Sequence, residues 1–404
     1  MNDIDIGLEA TQIAAGIDRF ERETNGENGI LDGEGLIPLY LGQSLVDERI
    51  YTGWAGIESD ISGLAARVAA LDDTPRKMFL QKLTASLSAA TALFQGATMS
   101  FPDKLTTLVG IPAERISGDF LDRLADELHT KLDAAGVVGG TVRERVVAWE
   151  QTGTLDPDEI PGVYHELMTE AKKRTDERIV PTGDYWMDLN PVRNTHYTAR
   201  CNFSERKMDL NVENRFTRAA LKHLVAHECF PGHSTQNIFT VAAYERGEAP
   251  AEVLLCSLNG IPGVIQEGIG DQGVELIDWI EDVHDDVHAT LRRYQSAVAT
   301  QATWMLNAEG RGEDEVRTYL KDTGALQPAR IDGRIGMARH PYRAPFIASY
   351  FYGNEAVRRV RRTVAGDAAR WNRFVRALYG EAHSPESLCA TTNVPYRSYG
   401  DSDD

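Results

Sequence analysis

The chain of 404 residues is long enough to bury a large core, and 42% hydrophobic and 25% charged residues are typical of a globular protein. Its formal net charge of -19 argues against nucleic acid as a partner, because neutralising phosphates requires a basic surface. No stretch approaches the roughly 18 apolar residues of a membrane span, and the acidic N-terminus does not resemble a signal peptide. The sequence therefore predicts a soluble cytoplasmic protein without a membrane partner.

The first 180 residues are predicted to be almost wholly helical. Apolar residues recur at helical spacing in six segments, at about 7–24, 44–71, 75–94, 115–135, 140–151 and 156–178. Thr74-Pro75 predicts a capped helix start, and Thr141-x-x-Glu144 matches a capping box. Because this half has no phosphate-binding glycine pattern and no catalytic cluster, we interpret residues 1–180 as an N-terminal helical lobe.

The pattern of apolar and polar residues changes near residue 180. Residues 196–203 and 207–212 alternate between apolar and polar side chains as strands do, and the residues between them can form a turn. The sequence therefore predicts a small β-hairpin or sheet near 195–212.

Helical patterns resume after the hairpin, at about 214–230 and in a long segment of about 274–308. The prediction is a large, mainly α protein with a central cleft and one small β element. Residues 181–404 would form a catalytic, metal-binding helical lobe, either separate from the first lobe or continuous with it.

The most informative motif is His227-Glu228-Cys229-Phe230-Pro231-Gly232-His233. A metal hydrolase needs neutral imidazoles to hold the ion and one unliganded carboxylate to accept a proton from water. Six residues at roughly 100° each place His233 about 240° around a straight helix from His227. Pro231 tends to end the helix, and Gly232 can adopt the dihedral angles that return His233 to the first histidine. The motif therefore predicts a metal site rather than a continuous helix.

Two other histidine pairs offer rival sites. His223 and His227 lie at i and i+4, and so do His284 and His288, which have acidic residues between them. We interpret His223 as a packing or supporting residue. The pair at 284 and 288 is interpreted as part of a solvated acidic helix face, although it is the strongest competing site.

The motif at 227–233, followed by Gln236, resembles the hallmark of the bacterial domain of unknown function 885 family, which is grouped with gluzincin-type zinc metallopeptidases. Glu267-Gly268 is similar to the start of that family's second motif, Glu-Gly-Trp-Ala-x-Tyr. The resemblance implies that Glu267 is the third zinc ligand, and Asp271 and Glu275 remain alternatives.

The sequence departs from the family at several positions expected to line the pocket. In the second motif, isoleucine, glycine and glutamine replace tryptophan, alanine and tyrosine, at Ile269, Gly270 and Gln272. Further along, Thr303 and Asn307 stand where the family has an aspartate and a histidine. The metal ligands are retained, whereas the substrate pocket is expected to differ.

A third block, residues 339–353, is similar to the family motif Pro-Gly-Gln-Ala-x-x-Tyr-x-x-Gly, with Tyr350 and Gly353 at the matching places. A phenol or a cation opposite the ion would stabilise the negative charge that develops on a carbonyl oxygen. Tyr350 is the first candidate for this role. The others are Arg343, His340 and Tyr352.

The resemblance implies a zinc-dependent, peptidase-type hydrolase of amide bonds that acts on a peptide or small amide. Zinc would be held by His227, His233 and Glu267, and Glu228 would be the general base. Tyr350 or Arg343 would stabilise the oxyanion. Two alternatives remain open: a metal enzyme acting on a non-peptide small molecule, and a catalytically silent helical binding protein.

Overall fold

The computed structural model of the protein describes residues 3–26, 30, 36–37, 39–195, 197–256 and 260–399. Its α-helices are α1 (Asp3–Asn25), α2 (Trp54–Ala69), α3 (Pro75–Phe94), α4 (Phe101–Lys104), α5 (Gly118–Ala134), α6 (Val142–Thr152), α7 (Ile160–Arg178), α8 (Arg218–Glu228), α9 (His233–Glu245), α10 (Ile261–Asp271), α11 (Gly273–Leu276), α12 (Val283–Asn307), α13 (Glu313–Asp322), α14 (Pro328–Arg339), α15 (Ile347–Val364), α16 (Ala368–Gly380) and α17 (Pro385–Thr391). Its strands are β1 (Leu39–Tyr40), β2 (Asp188–Val192), β3 (Ala199–Asn202), β4 (Lys207–Asn211) and β5 (Leu255–Cys256). The predicted mainly α class with a small sheet is confirmed.

The chain divides into two compact units, each drawn from several stretches of sequence. The first unit comprises Met1–Glu114, Asn237–Gly268 and His340–Asp404, and the second comprises Arg115–Gln236 and Ile269–Arg339. Helices α9 and α10 contribute residues to both units. The two lobes predicted from the sequence, residues 1–180 and 181–404, were divided where the pattern of residues changes. They stay a prediction.

Helix starts in the first unit follow local hydrogen bonding. Thr74 caps α3 as predicted, because its side chain accepts a hydrogen bond from the backbone N–H of Lys77. The predicted helix over 44–71 is wrong in its first part, since α2 begins only at Trp54. The backbone N–H of Leu45 instead bonds Gly42 in a turn, and that of Arg49 bonds Gln12 in α1. These amides are therefore unavailable for a continuous helix.

Two glycines allow α10 and α15 to cross closely in the first unit. A Cβ atom at Gly268 would overlap the carbonyl group of Gly353, and one at Gly353 would overlap the carbonyl oxygen of Val264. Both glycines belong to the family-like motifs. Their shared role is the close approach of two helix backbones, which only glycine permits.

In the second unit, α12 packs along α5, and a three-stranded sheet has the order β2-β4-β3. The predicted hairpin is confirmed, because β3 pairs antiparallel with β4 from Ala199 opposite Leu210 to Asn202 opposite Lys207. Position 196 of the predicted strand lies outside the described residues. The sequence did not indicate β2, which pairs parallel with β4, because Pro191 argues against a strand interior. The edge position of β2 explains why proline is tolerated there.

The long helix predicted over 274–308 is divided in the structure. It consists of α11 and α12, and α12 begins at Val283 because the Asp282 side chain accepts hydrogen bonds from the N–H groups of His284 and Asp285. Asp278, between the two helices, has φ of 54°, which a continuing helix excludes.

Thr141 and Glu144 form the predicted capping box at α6. In the described part of the chain, no helix is long and apolar enough to span a membrane.

A buried ion pair joins α8 to α12. Lys222, with 3% of its side chain exposed, places Nζ 2.5 Å from Oδ2 of the buried Asp285 and 2.9 Å from Oε2 of the half-exposed Glu281. Its ammonium group also lies 4.5 Å from the ring centroid of Trp279. Removing the buried partner would leave the buried ammonium group with the half-exposed Glu281 as its remaining carboxylate partner among the described residues.

We expect Asp285→Ala to lower the free energy of unfolding by about 3–5 kcal/mol, because the ammonium group of Lys222 cannot reach solvent. Chemical denaturation followed by circular dichroism measures the loss. Glu281→Ala is the matched control, and its cost should stay below about 1 kcal/mol because that partner is solvated. Equal losses in the two variants would contradict the assigned role of Asp285.

Candidate metal centre

Helix α8 carries the first half of the metal motif. Its N-terminus is capped by Thr217, whose side chain accepts a hydrogen bond from the N–H of Ala220. The helix ends at Glu228, so His223 and His227 occupy successive turns on one face. Both histidines and Glu228 are buried.

A tight turn at Gly232 brings His233 back to His227. The N–H of Gly232 donates to the carbonyl oxygen of Ala226 at 2.9 Å, and α9 then begins at His233. A Cβ atom at position 232 would overlap the carbonyl oxygen of His227 and lie 2.5 Å from that of Ala226. The backbone of Gly232 is not left-handed, so the glycine is required for space and not, as the sequence suggested, for unusual dihedral angles.

The turn places the two predicted histidine ligands side by side. The rings of His227 and His233 have centroids 4.8 Å apart and an interplanar angle of 88°. One ring nitrogen from each lies within 4.8 Å of the other, a separation that two ligands of one ion can have. Glu228, between them in sequence, is 8% exposed. The second unit therefore holds two imidazoles, a ligand type that zinc prefers, and a buried glutamate next to the first of them in the chain.

Asp271, at the end of α10, lies beside His227 and His223. Its Oδ1 atom lies 3.3 Å from Nδ1 of His227, 3.4 Å from Nε2 of His223 and 3.3 Å from Nη2 of Arg292. Burial raises the pKa of Asp271, but the Arg292 guanidinium and the two histidines outweigh burial and hold it well below its usual value. Asp271 is therefore an anion, and its contact with Nδ1 of His227 directs the opposite nitrogen, Nε2, away from the carboxylate.

His223 is a buried neutral imidazole in this arrangement. Burial lowers its pKa to about 4, although the hydrogen bond to Asp271 favours the charged form. Its ring lies 5.3 Å from that of His288 on α12, centroid to centroid. This placement agrees with the interpretation of His223 as a supporting residue.

Gly270 explains one departure from the family-like motif. A Cβ atom at this position would lie 2.7 Å from both Cε1 and Nδ1 of His227. The alanine expected from the resemblance would therefore collide with the imidazole ring as it is placed here.

We expect Gly270→Ala to displace the ring of His227 and weaken zinc binding by about 10–100-fold, as loss of a ligand's support typically does. Competition with a chromophoric chelator measures the affinity. Gly162→Ala in α7 is the control, because a Cβ atom there meets nothing within 4 Å. Unchanged zinc affinity in Gly270→Ala would show that the ring position does not matter for binding.

The rival pair on α12 is not arranged as a metal site. His284 is exposed, and its Nδ1 atom accepts a hydrogen bond of 3.0 Å from the indole N–H of Trp149. The ring of His288 lies beside that of His223, and within the described ranges no group of three potential ligands contains His284 or His288.

Thr303 and Asn307, further along α12, stand where the family has an aspartate and a histidine. Here they make hydrogen bonds within the fold, since the side chain of Asn307 donates to the carbonyl oxygens of Thr303 and Ala338.

The other predicted site residues lie in the first unit. Glu267 is buried in α10, one turn before Asp271, and Tyr350 is half-buried in α15 with its ring 5.7 Å from that of Phe346. Arg343 is half-buried immediately before the turn that precedes α15. The structure brings the rings of His227 and His233 together, and the buried Glu228 follows His227 in the chain. The assembly of these three residues with Glu267, Tyr350 and Arg343 stays a prediction.

Two weaker oxyanion candidates have structural explanations. Nδ1 of His340 accepts backbone hydrogen bonds from Tyr342 and Arg343, so this histidine caps the chain before α15. Tyr352 is buried, and burial raises the pKa of its hydroxyl group well above its usual value, with Glu114 adding to the effect.

Sequence reasoning missed the supporting function of Asp271 and the contribution of Arg292. Asp271 was recognised only as an alternative ligand, although its position one turn after Glu267 places both carboxylates on one helix face. Arg292 gave no signal, because a lone arginine in a helical pattern is indistinguishable from a surface cation.

Comparison with known proteins identifies structural similarity at low sequence identity. No family model and no curated protein matches the chain. A solved structure described as a putative lipoprotein from Colwellia psychrerythraea has a TM-score of 0.59 at 15% identity, covering 88% of this chain and 65% of its own. A putative lipoprotein of unknown function from Shewanella oneidensis has a TM-score of 0.49 at 14% identity, covering 83% and 70%. The chain thus spans about 65% of the Colwellia protein's length, and that similarity shows a shared fold alone.

Proposed function

We propose that the protein is a zinc-dependent hydrolase of amide bonds, with His227, His233 and Glu267 as ligands and Glu228 as general base. The observation that carries the proposal is the turn at Gly232, which sets the imidazoles of His227 and His233 side by side, while Glu228 follows His227 in the chain and is buried. The motif's resemblance to the domain of unknown function 885 family supports the same assignment. Glu267 is chosen as third ligand because it follows the histidines on a later helix and shares a face of α10 with Asp271.

A bound divalent ion would polarise the scissile carbonyl group and favour ionisation of water. The protein's own residues would then move the proton. Glu228 would accept it from the attacking water and pass it to the leaving nitrogen, while Tyr350 or Arg343 would donate a hydrogen bond to the developing oxyanion. Asp271 would hold the orientation of His227 throughout.

A second ligand set fits less well. His223, His227 and Asp271 offer ligand atoms within 4.8 Å of one another, and all three residues are buried. However, Oδ1 of Asp271 is already shared with the guanidinium group of Arg292 at 3.3 Å, which supplies the positive charge that a cation would bring. Electrostatic repulsion from Arg292 would oppose a metal ion there. We therefore propose that His223 and Asp271 hold the ring of His227 in place and do not bind the ion.

Hydrolysis assays test the proposal. Purified protein, stripped by a chelator and reloaded with zinc, is incubated with a peptide library and with small non-peptide amides. We expect zinc-dependent cleavage of at least one amide class, which the chelator abolishes. Cleavage confined to the non-peptide amides would favour the small-molecule alternative. The absence of cleavage in both sets would contradict the proposal and favour a silent binding protein.

A further inference from the structure

His223, His227 and Asp271, which we call the aspartate set, have the spacing of a metal site. Oδ1 of Asp271 lies 3.4 Å from Nε2 of His223 and 3.3 Å from Nδ1 of His227. Two ligands about 2.1 Å from one zinc ion are roughly 3.4 Å apart at the tetrahedral angle. Hydrogen bonds of the N–H···O type are usually shorter, at about 2.9 Å. The distances in the aspartate set therefore match those between ligands of one ion.

The guanidinium group of Arg292 supplies a positive charge to the aspartate set. Nη2 of Arg292 lies 3.3 Å from Oδ1 of Asp271, the same oxygen atom that faces both histidines. An arginine side chain stays protonated in proteins, so this charge is permanent. Arg292 is half-buried, so its side chain also connects the buried aspartate set with solvent.

Asp271 keeps one oxygen atom that the described residues do not use. Its Oδ2 atom is buried and accepts no hydrogen bond within the described ranges, and the whole residue is 5% exposed. A buried carboxylate oxygen without a partner is costly, and a bound cation would remove that cost. The aspartate set thus has both the spacing and the spare acceptor of a metal site, together with a fixed cation beside it.

We propose that Arg292 determines which of two ligand sets, both containing His227, binds the metal ion. A divalent ion in the aspartate set would lie beside the guanidinium group, in a buried place where repulsion between charges is weakly screened. Arg292 therefore leaves the ion to His227, His233 and Glu267. Without that charge, the aspartate set presents two imidazoles and one carboxylate, which is a zinc donor set. The inference rests on the proposed function for the identity of the first set.

The zinc content of a double variant, His233→Asn with Arg292→Gln, tests the proposal. Equilibrium dialysis of the full chain measures the number of ions bound. His233→Asn alone is expected to bind none, because it removes a ligand of the first set. Adding Arg292→Gln should restore one ion per chain, since glutamine is polar but carries no charge. A third change, His223→Asn, should abolish binding again, because the aspartate set then lacks a ligand.

Arg293→Gln is the matched control for Arg292→Gln. Arg293 is the next residue of α12 and carries the same charge, but its Nη1 atom contacts Oε2 of Glu127 on α5 at 3.4 Å. Combined with His233→Asn, this change should leave the chain without zinc. Arg292→Lys in the same background should also leave it without zinc, because lysine keeps the positive charge.

A double variant of His233→Asn and Arg292→Gln that binds no zinc would overturn the proposal. Restoration of zinc binding by Arg293→Gln or Arg292→Lys would overturn it too, because the charge beside Asp271 would then not be decisive. Circular dichroism shows whether each variant is folded. A double variant that folds only with zinc would support the proposal, and one that stays unfolded with zinc, while His233→Asn is folded, would contradict it.

The outcome is separate from that of the proposed function. A wild type without zinc would contradict the first ligand set. A double variant that binds one ion would still support the role of Arg292, because its ligands are His223, His227 and Asp271.

Discussion

Glu228→Gln is expected to lower kcat for amide hydrolysis by about 10²–10⁴-fold, which is the usual contribution of a positioned general base. Glutamine keeps the size and most of the polarity of glutamate but cannot accept a proton from water. Because Glu228 is proposed as a base and not as a ligand, zinc content and the free energy of unfolding should be unchanged. Steady-state kinetics of zinc-loaded protein measures the effect.

Glu205→Gln is the control for this experiment. Glu205 is an exposed glutamate in the turn between β3 and β4 of the same unit, where it pairs with Lys207. Its kcat should match that of the wild type. A Glu228→Gln variant that keeps more than half of the wild-type kcat would remove Glu228 from the reaction, whatever the metal content.

Gly232→Ala is expected to abolish zinc binding and to lower the free energy of unfolding by about 1–3 kcal/mol, as overpacking of a tight site does. A methyl group at this position would overlap the carbonyl oxygen of His227 and crowd that of Ala226. The turn must open to admit it, which separates His233 from His227. Zinc analysis and chemical denaturation measure the two effects.

Gly336→Ala in α14 is the matched control in the same unit. A Cβ atom there meets nothing within 4 Å, and the helical backbone accepts alanine. This variant should gain about 0.5–1 kcal/mol, because alanine loses less conformational entropy than glycine in a helix. A Gly232→Ala variant with full zinc content would contradict the requirement for space at the turn.

Local sequence signals predicted much of the fold. Thr74 and Thr141 marked two helix starts because their side chains bond backbone amides only a few residues away. The β3–β4 hairpin was recognisable because alternation and a turn are also local. By contrast, β2 is defined by its parallel pairing with β4, which is not adjacent in sequence, and Pro191 argued against a strand at that position.

The candidate site was predictable only where residues are close in sequence. His227, Glu228 and His233 could be singled out as candidates because one motif carries all three. The role of Gly232 was predicted wrongly. Glycine is needed there because two backbone carbonyl groups lie too close to position 232 for a Cβ atom, and no sequence pattern shows that distance. The contact of Gly270 with the imidazole of His227 joins separate helices, so the sequence showed this glycine only as a departure from a motif.

The most direct test of the account is the number of zinc ions bound per chain after equilibrium dialysis, measured for the wild type, His233→Asn and His223→Asn. We expect one ion in the wild type, none in His233→Asn and one in His223→Asn, because His223 supports the site through Asp271 without holding the ion. An absence of zinc from the wild type would contradict the central claim. Zinc retained by His233→Asn but lost from His223→Asn would contradict it equally, because the ion would then be held by His223, His227 and Asp271.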